Sequence, residues 1–225
     1  MSPDVKIVPL DTTAHTALLH STATYQQAAS KLFADSFANG NKITVNTEQI
    51  SKRLQDEFPE LSQVSITLPL IGHRPVVYVQ MSQPAFILVA SQRAYVIGQR
   101  GHVLAQADQA TVAQADLPVI TDHSGIDPAT TATPLPSSDV MFITDVLYEL
   151  KHAGIAVSGL NLPAAASEFD VSIKGQPFFV KFNMQSGTAR QQSGTFLALW
   201  QYLRQQHITP AHYIDVRVDG RAYYK

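Results

Sequence analysis

The chain contains no cysteine, which excludes disulfides, thiolate metal sites and a cysteine nucleophile outright. It is also poor in charge. Only 15% of residues are Asp, Glu, Lys or Arg, against roughly 25% in an ordinary soluble domain. Gln, Ser and Thr supply much of the polarity instead. The formal net charge is −2 and the basic residues are scattered, so the stripe of Lys and Arg that a nucleic-acid partner would require is missing. No apolar run of about 18 residues exists, so nothing in the chain spans a membrane as a helix. The N-terminus lacks the basic-then-apolar pattern of a signal peptide. Internal repeats and low-complexity tracts are absent as well. What the sequence does have is 45% apolar residues in 225, enough for a sizeable core in one large or two small domains.

Those apolar residues fall into short periodic pieces. Val5 to Val8 reads as a strand. From about Thr22 to Phe37, the residues Tyr25, Ala28, Ala29, Leu32, Phe33 and Phe37 share one helical face, and Asn39-Gly40-Asn41 stops the helix. Asn46 with Gln49 is the signature of a helix N-terminus. Ile50, Leu54 and Phe58 follow at a spacing of four, and Pro59 ends that helix. Val64, Ile66 and Leu68 alternate, as do Val77, Val79 and Met81 after a connection holding Gly72 and Pro75. Residues 1–83 therefore predict a β-α-α-β-β domain.

Gln83-Pro84-Ala85 marks a junction, and residues 84–225 form the second domain. Phe86 to Val89 and Ala94 to Ile97 predict a hairpin, with Gly98 to Gly101 as a turn before His102 to Leu104. Asp116 to Ile120 is a short apolar piece. Residues 121–136, rich in Pro, Thr and Ser, read as an ordered loop. Ser137-Ser138-Asp139 reads as a helix cap. Val140, Ile143, Val146, Leu147 and Leu150 form the buried stripe, and Gly154 is the stop. Ile155 to Leu162 is strand-like, and residues 169–182 predict a hairpin through Lys174-Gly175-Gln176. A helix from about Ala189 to Gln206 turns Phe196, Leu199, Trp200 and Leu203 inward. The fold class is α+β, with a mainly antiparallel sheet and packed helices in the second domain.

Chemistry-bearing motifs are few. The eight histidines are spread over separate elements, without HExxH or a carboxylate–His pair at helical spacing, and are read as surface or turn histidines. Residues Gly187 to Thr195 lack the Lys and the spacing of a phosphate loop and read as a strand-to-helix connection. Ser186 and Ser193 do not sit in Gly-x-Ser-x-Gly. The expectation is therefore a non-enzyme with no metal and no cofactor. The last residues carry the strongest pattern. Ile214, Val216 and Val218 alternate with Asp215, Arg217 and Asp219, a half-buried strand, and Asp219-Gly220 allows a bend before Ala222, Tyr223 and Tyr224 extend it. Asp215 and Asp219 would share a face with Arg217 between them, a charge-balanced strand surface. Tyr223 and Tyr224 would point to opposite faces, which leaves two readings open: one packs inward and the other is free to anchor a partner, or both are ordinary sheet tyrosines. A strand closing a sheet offers unpaired N–H and C=O groups to another protein.

The ordered set of these pieces resembles the extracytoplasmic part of FtsQ/DivIB-family bacterial cell division proteins, which join a POTRA domain to a β domain. The resemblance rests on Leu61 to Pro69, Val76 to Met81 with Gln83-Pro84-Ala85, Tyr95 to Val103, Leu117-Pro118, the later helices and hairpin, and Tyr213-Ile-Asp-Val-Arg217. It covers nearly the whole chain. Leu68-Pro69 stands where the family usually has Trp-Pro, and the family pattern can also be started at Gly40-Asn41, making residues 1–39 partly additional. The resemblance implies a non-enzymatic divisome scaffold in septum formation. Its terminal strand would receive FtsB-like and FtsL-like membrane-anchored proteins at Arg217, Val218, Gly220, Ala222, Tyr223 and Tyr224. It also implies a single membrane helix before Ser2, placing the chain outside the cytoplasm at the division site, with the membrane touched only through that anchor. Two other readings stay open: a POTRA-containing secretion or outer-membrane assembly component, and a small-molecule-binding α+β protein of unrecognised type.

Overall fold

A computed structural model describes residues 5–9, 21–38, 46–68, 74–108, 112 and 116–225. The Asn39-Gly40-Asn41 stop, Pro69, Gly72, His15, His20, His73 and the Phe37 side chain lie outside the described residues. The fold is α+β, with four helices among the described residues, and the chain divides into two compact units, Met1–Gln83 and Pro84–Lys225.

The first unit contains β1 (Lys6–Pro9), α1 (Thr22–Ala38), α2 (Thr47–Glu57), β2 (Leu61–Thr67) and β3 (Val76–Met81). Its sheet runs in the order β1-β3-β2, with β1 parallel and β2 antiparallel to β3. Asn46 caps α2 by accepting from the Gln49 N–H at 3.0 Å. Tyr25, Ala29 and Phe33, spaced by four on α1, meet Ile50 and Leu54 of α2 and Val77, Val79 and Met81 of β3 in one core. The Tyr25 hydroxyl is buried there and donates to Glu60 Oε1 at 2.8 Å, so the helix face carries its polar group only because a carboxylate meets it.

The second unit carries β4 (Pro84–Ala90), β5 (Arg93–Gly98), β6 (Val103–Ala107), β7 (Val119–Asp122), α3 (Ser137–His152), β8 (Val157–Leu162), β9 (Glu168–Ile173), β10 (Phe179–Asn183), α4 (Ala189–Gln205), β11 (Tyr213–Asp215) and β12 (Tyr223–Tyr224). They build a nine-stranded sheet in the order β12-β11-β10-β9-β8-β7-β4-β5-β6. Antiparallel pairs predominate, but β4–β7, β7–β8 and β10–β11 are parallel, so the sheet is mixed. The β4–β5 turn has no glycine: Ser91 and Gln92 both take positive φ, at 49° and 64°, the pattern of a tight hairpin turn.

Phe169, Val171 and Ile173 of β9, Val180 and Phe182 of β10 and Ile214 of β11 turn one sheet face toward α3 and α4. There they pack against Val140, Ile143, Val146 and Leu150 of α3 and Phe196 and Leu203 of α4, while Leu199 and Trp200 are only partly buried. The start of α3 differs from the expectation. Pro136, not a side chain of residues 137–139, occupies the cap, and Asp139 instead lies in the first turn, buried against Gln185 at 2.8 Å. At α4, Thr188 and Gln191 form a reciprocal capping box, which explains the Gly187–Thr195 stretch as a helix start.

Candidate functional site

The end of the chain is a hairpin rather than one strand. β11 lies parallel to β10, pairing Ile214 with Val180 and Asp215 with Lys181. The Val216 N–H still donates to the Lys181 carbonyl at 3.1 Å, but then the chain turns: the Arg221 N–H donates to the Val218 carbonyl at 3.1 Å and Gly220 takes φ 65°. Asp219-Gly220 is the physical reason, since glycine accepts positive φ without a Cβ penalty. β12 returns antiparallel to β11 in the outermost position, pairing Asp215 with Tyr223 and Ile214 with Tyr224. Asp219 therefore leaves the face that Asp215 and Arg217 share.

Hydrogen bonds fix which groups face outward. The Lys225 N–H donates to the Tyr213 carbonyl at 3.1 Å, and its carbonyl accepts from His212 at 2.7 Å. Alternation then points the N–H and C=O of Tyr224 away from β11, toward the free edge. The two tyrosines were expected to divide between core and solvent; both are exposed, at 50% and 47%. Tyr224 lies on the helix-covered face with Ile214, but at the rim of the sheet, where it remains half open. Val218 is 49% exposed in the turn, Gly220 is exposed, and Ala222 packs partly against the core. Of the six candidates, Val218, Gly220, Tyr223 and Tyr224 share the exposed tip and edge, Ala222 anchors the tip, and Arg217 faces the sheet.

Behind this hairpin the face of the sheet opposite the helices carries a charged cluster. The registers align Asn161, Asp170, Lys181, Asp215 and Tyr223 across five strands. Glu168 joins them, its side chain only 4% exposed. One of its oxygens meets Lys181 Nζ at 2.6 Å and the other binds Arg217 Nη1. Arg217 also forks onto Asp215, through Nε at 2.9 Å and Nη2 at 2.6 Å, the bidentate geometry that holds a guanidinium in one orientation. Lys181 Nζ lies 5.2 Å from the Phe179 ring centroid and 5.8 Å from that of Tyr213, within cation–π range.

The charges shape one another. Burial pushes the Asp170 carboxyl up to about 7, with Lys181 opposing and Glu168 adding to the rise, and its Oδ1 is buried without a hydrogen-bond partner among the described residues. At Asp215 burial pushes upward too, but the hydrogen bonds and charge of Arg217 outweigh it and the carboxyl sits below its usual value. The Arg217 guanidinium is raised, first by its hydrogen bond to Asp215. The network ties the hairpin to β9 and β10, two strands inside the sheet. Glu168, Asp170 and Lys181 were missed from sequence. The available signal was Glu168-x-Asp170, two carboxylates on one face of a strand whose other face is apolar, with Lys181 on the returning strand.

Among the described residues, no cluster of three or more His, Asp or Glu could hold a metal ion, and no helix is long and apolar enough to cross a membrane. No family model matches the sequence, and no curated protein matches it.

Proposed function

We propose that the chain is a non-enzymatic scaffold of bacterial cell division of the FtsQ/DivIB type, which binds FtsB-like and FtsL-like partners by adding their strand to β12. The observation that carries this reading is the outer edge of β12, which pairs with no further strand among the described residues, with two half-exposed tyrosines, on a hairpin fixed in place by the Glu168–Arg217–Asp215 network. An edge strand supplies backbone hydrogen bonds, and flanking aromatic side chains supply the anchors that select a partner. The β-α-α-β-β order and the β1-β3-β2 sheet of the first unit support reading it as a POTRA-like domain. On this reading the chain lies on the extracytoplasmic side of the cell membrane at the septum, held by a single-pass anchor.

Photo-cross-linking in living cells tests the proposal. A photoreactive phenylalanine at Tyr223 or Tyr224 should give adducts with a membrane-anchored division protein. The same residue at Tyr202, which is 54% exposed on α4, should not. Equal adducts from all three positions, or none from the tyrosine pair, would sink the reading.

A further inference from the structure

The nine-stranded sheet is split between β7 and β8. These parallel strands pair only at Thr121–Asn161 and Asp122–Leu162, and the His123 N–H closes the upper end on the Leu162 carbonyl at 2.7 Å. Alternation along β7 therefore points Val119, like Thr121 and His123, at β8, and along β8 it points Leu160 at β7. The ladder stops before these two meet. By the same alternation, the N–H and C=O of Val119 and the N–H of Leu160 lie on the facing sides of the two strands, beyond their last paired residues. The cause is a bulge: the register of β8 against β9 shifts between Val157 and Gly159, and such an insertion bends its strand and increases its twist. The lower half of β8 turns away from β7 and a cleft of about 480 Å3 opens. Its walls are Val119, Val157 and Leu160 from the strands and Leu147 and Ile155 from the helix side, with Lys151 as the one charged residue lining it among the described residues. Its lining residues Lys151 and Ser158 are exposed, so the cleft is open to a ligand.

We propose that this cleft is a second docking site, independent of the terminal hairpin, for an extended peptide segment of a partner protein that carries apolar side chains and a carboxylate. Main-chain donors and an acceptor beyond the end of a ladder suit another main chain, which has both group types at the strand repeat. An alkyl chain would fill the apolar walls and leave these groups unmet. The carboxylate follows from charge: Lys151 stands at the C-terminal turn of α3, and no acidic residue lines the cleft among the described residues. The cleft volume lies within the range of roughly 300–1,000 Å3 that ligand sites span, room for a short stretch of peptide.

The test uses the full chain, labelled with 15N, and the peptide acetyl-Thr-Val-Ile-Val-Glu. The peptide should shift the Val119 and Leu160 amides saturably, with a Kd of about 0.1 mM, a typical weak motif affinity. An N-methylated version of the peptide should bind at least about tenfold more weakly. Lys151→Glu, at an exposed position, should weaken the parent peptide by a similar factor while the rest of the amide spectrum keeps its folded pattern. Tyr224→Ala should leave this binding unchanged, which separates it from the hairpin interface. The proposal is overturned if the peptide shifts no amide at the cleft, if N-methylation or Lys151→Glu changes nothing, or if decanoate moves the same amides and the peptide does not.

Discussion

Glu168→Gln should loosen the terminal hairpin while leaving the sheet formed. The substitution keeps the shape of the side chain and removes its charge. In the native protein the two carboxylate oxygens serve two cations, Lys181 and Arg217, at a side-chain exposure of 4%. An amide offers one acceptor and turns an NH2 donor toward the other cation, so one contact becomes repulsive. Breaking a fully buried pair costs about 3–5 kcal/mol. Here the cations are 21% and 36% exposed, Arg217 keeps its fork on Asp215, and Asp170 lies across from Lys181 in the register. The loss is therefore expected near the lower range for charged hydrogen bonds, about 2 kcal/mol. That corresponds to a fall in Tm of about 4–8 °C. Urea unfolding gives the magnitude. Native-state hydrogen exchange gives the location: the His212 and Lys225 amides, which close the hairpin, should lose protection, while those of Val171 and Val180 fall only with global stability. The Asp170 carboxyl, raised chiefly by burial and further by Glu168, should titrate lower in the variant. A stability change below about 0.5 kcal/mol, the scatter of ordinary surface substitutions, with unchanged exchange at Lys225, would refute the view that this network holds the hairpin.

Three further outcomes follow from other parts of the molecule. Gly101→Ala should cost on the order of 3 kcal/mol, because Gly101 has φ 81° and an added Cβ would lie 1.9 Å from the Leu135 carbonyl oxygen. Gly154→Ala, with φ 72° and open space, should cost only about 1 kcal/mol, a difference that chemical denaturation resolves. Asp170 has a folded-state pKa above its unfolded value of 3.8. Its contribution is fully present below 3.8 and declines as pH rises toward about 7, because the unfolded chain releases the proton first. Asp170→Asn should flatten that part of the stability–pH curve, whereas Asp215→Asn should remove stability that is present above pH 3.8 and lost under more acidic conditions. Tyr25→Phe removes a buried hydrogen bond to Glu60 and should lower the stability of the first unit by about 1.5–3 kcal/mol in denaturant titrations.

The sequence revealed those elements whose pattern is local. Helix α2 was readable because its cap residue and its stripe of Ile50 and Leu54 are set by neighbours a few positions away. The β9–β10 hairpin was readable because Gly175 punctuates two alternating runs. Pairing between distant strands was hidden. Nothing near Val119 states that β7 lies between β4 and β8, because parallel partners are chosen by tertiary packing. The terminal segment shows the same limit on a smaller scale. Its period of two was visible, but one extended strand and a hairpin through Asp219-Gly220 satisfy that pattern equally, and the pairing of Lys225 with Tyr213 decided between them. The candidate residues at the tip were named from the family resemblance, and only the bend at Asp219-Gly220 was legible locally. The Glu168–Lys181–Arg217 network was not, since its members lie up to 49 positions apart and meet only once the sheet has formed.

The most direct test of the central claim is calorimetric titration of the soluble segment of an FtsB-like partner from the same genome into wild type, Tyr224→Ala and Tyr224→Pro. The Tyr224 N–H points away from β11, and proline is tolerated at an edge position of that kind, so the hairpin should survive, as circular dichroism and protection of the Lys225 amide will show. Val218→Pro would report less, because Val218 sits in the turn and not on the edge. Measurable binding to wild type is expected, with a loss of about 2 kcal/mol, roughly thirtyfold in Kd, for Tyr224→Ala, and an equal or larger loss for Tyr224→Pro. Wild-type affinity in both folded variants, or no binding by the wild type itself, would contradict it.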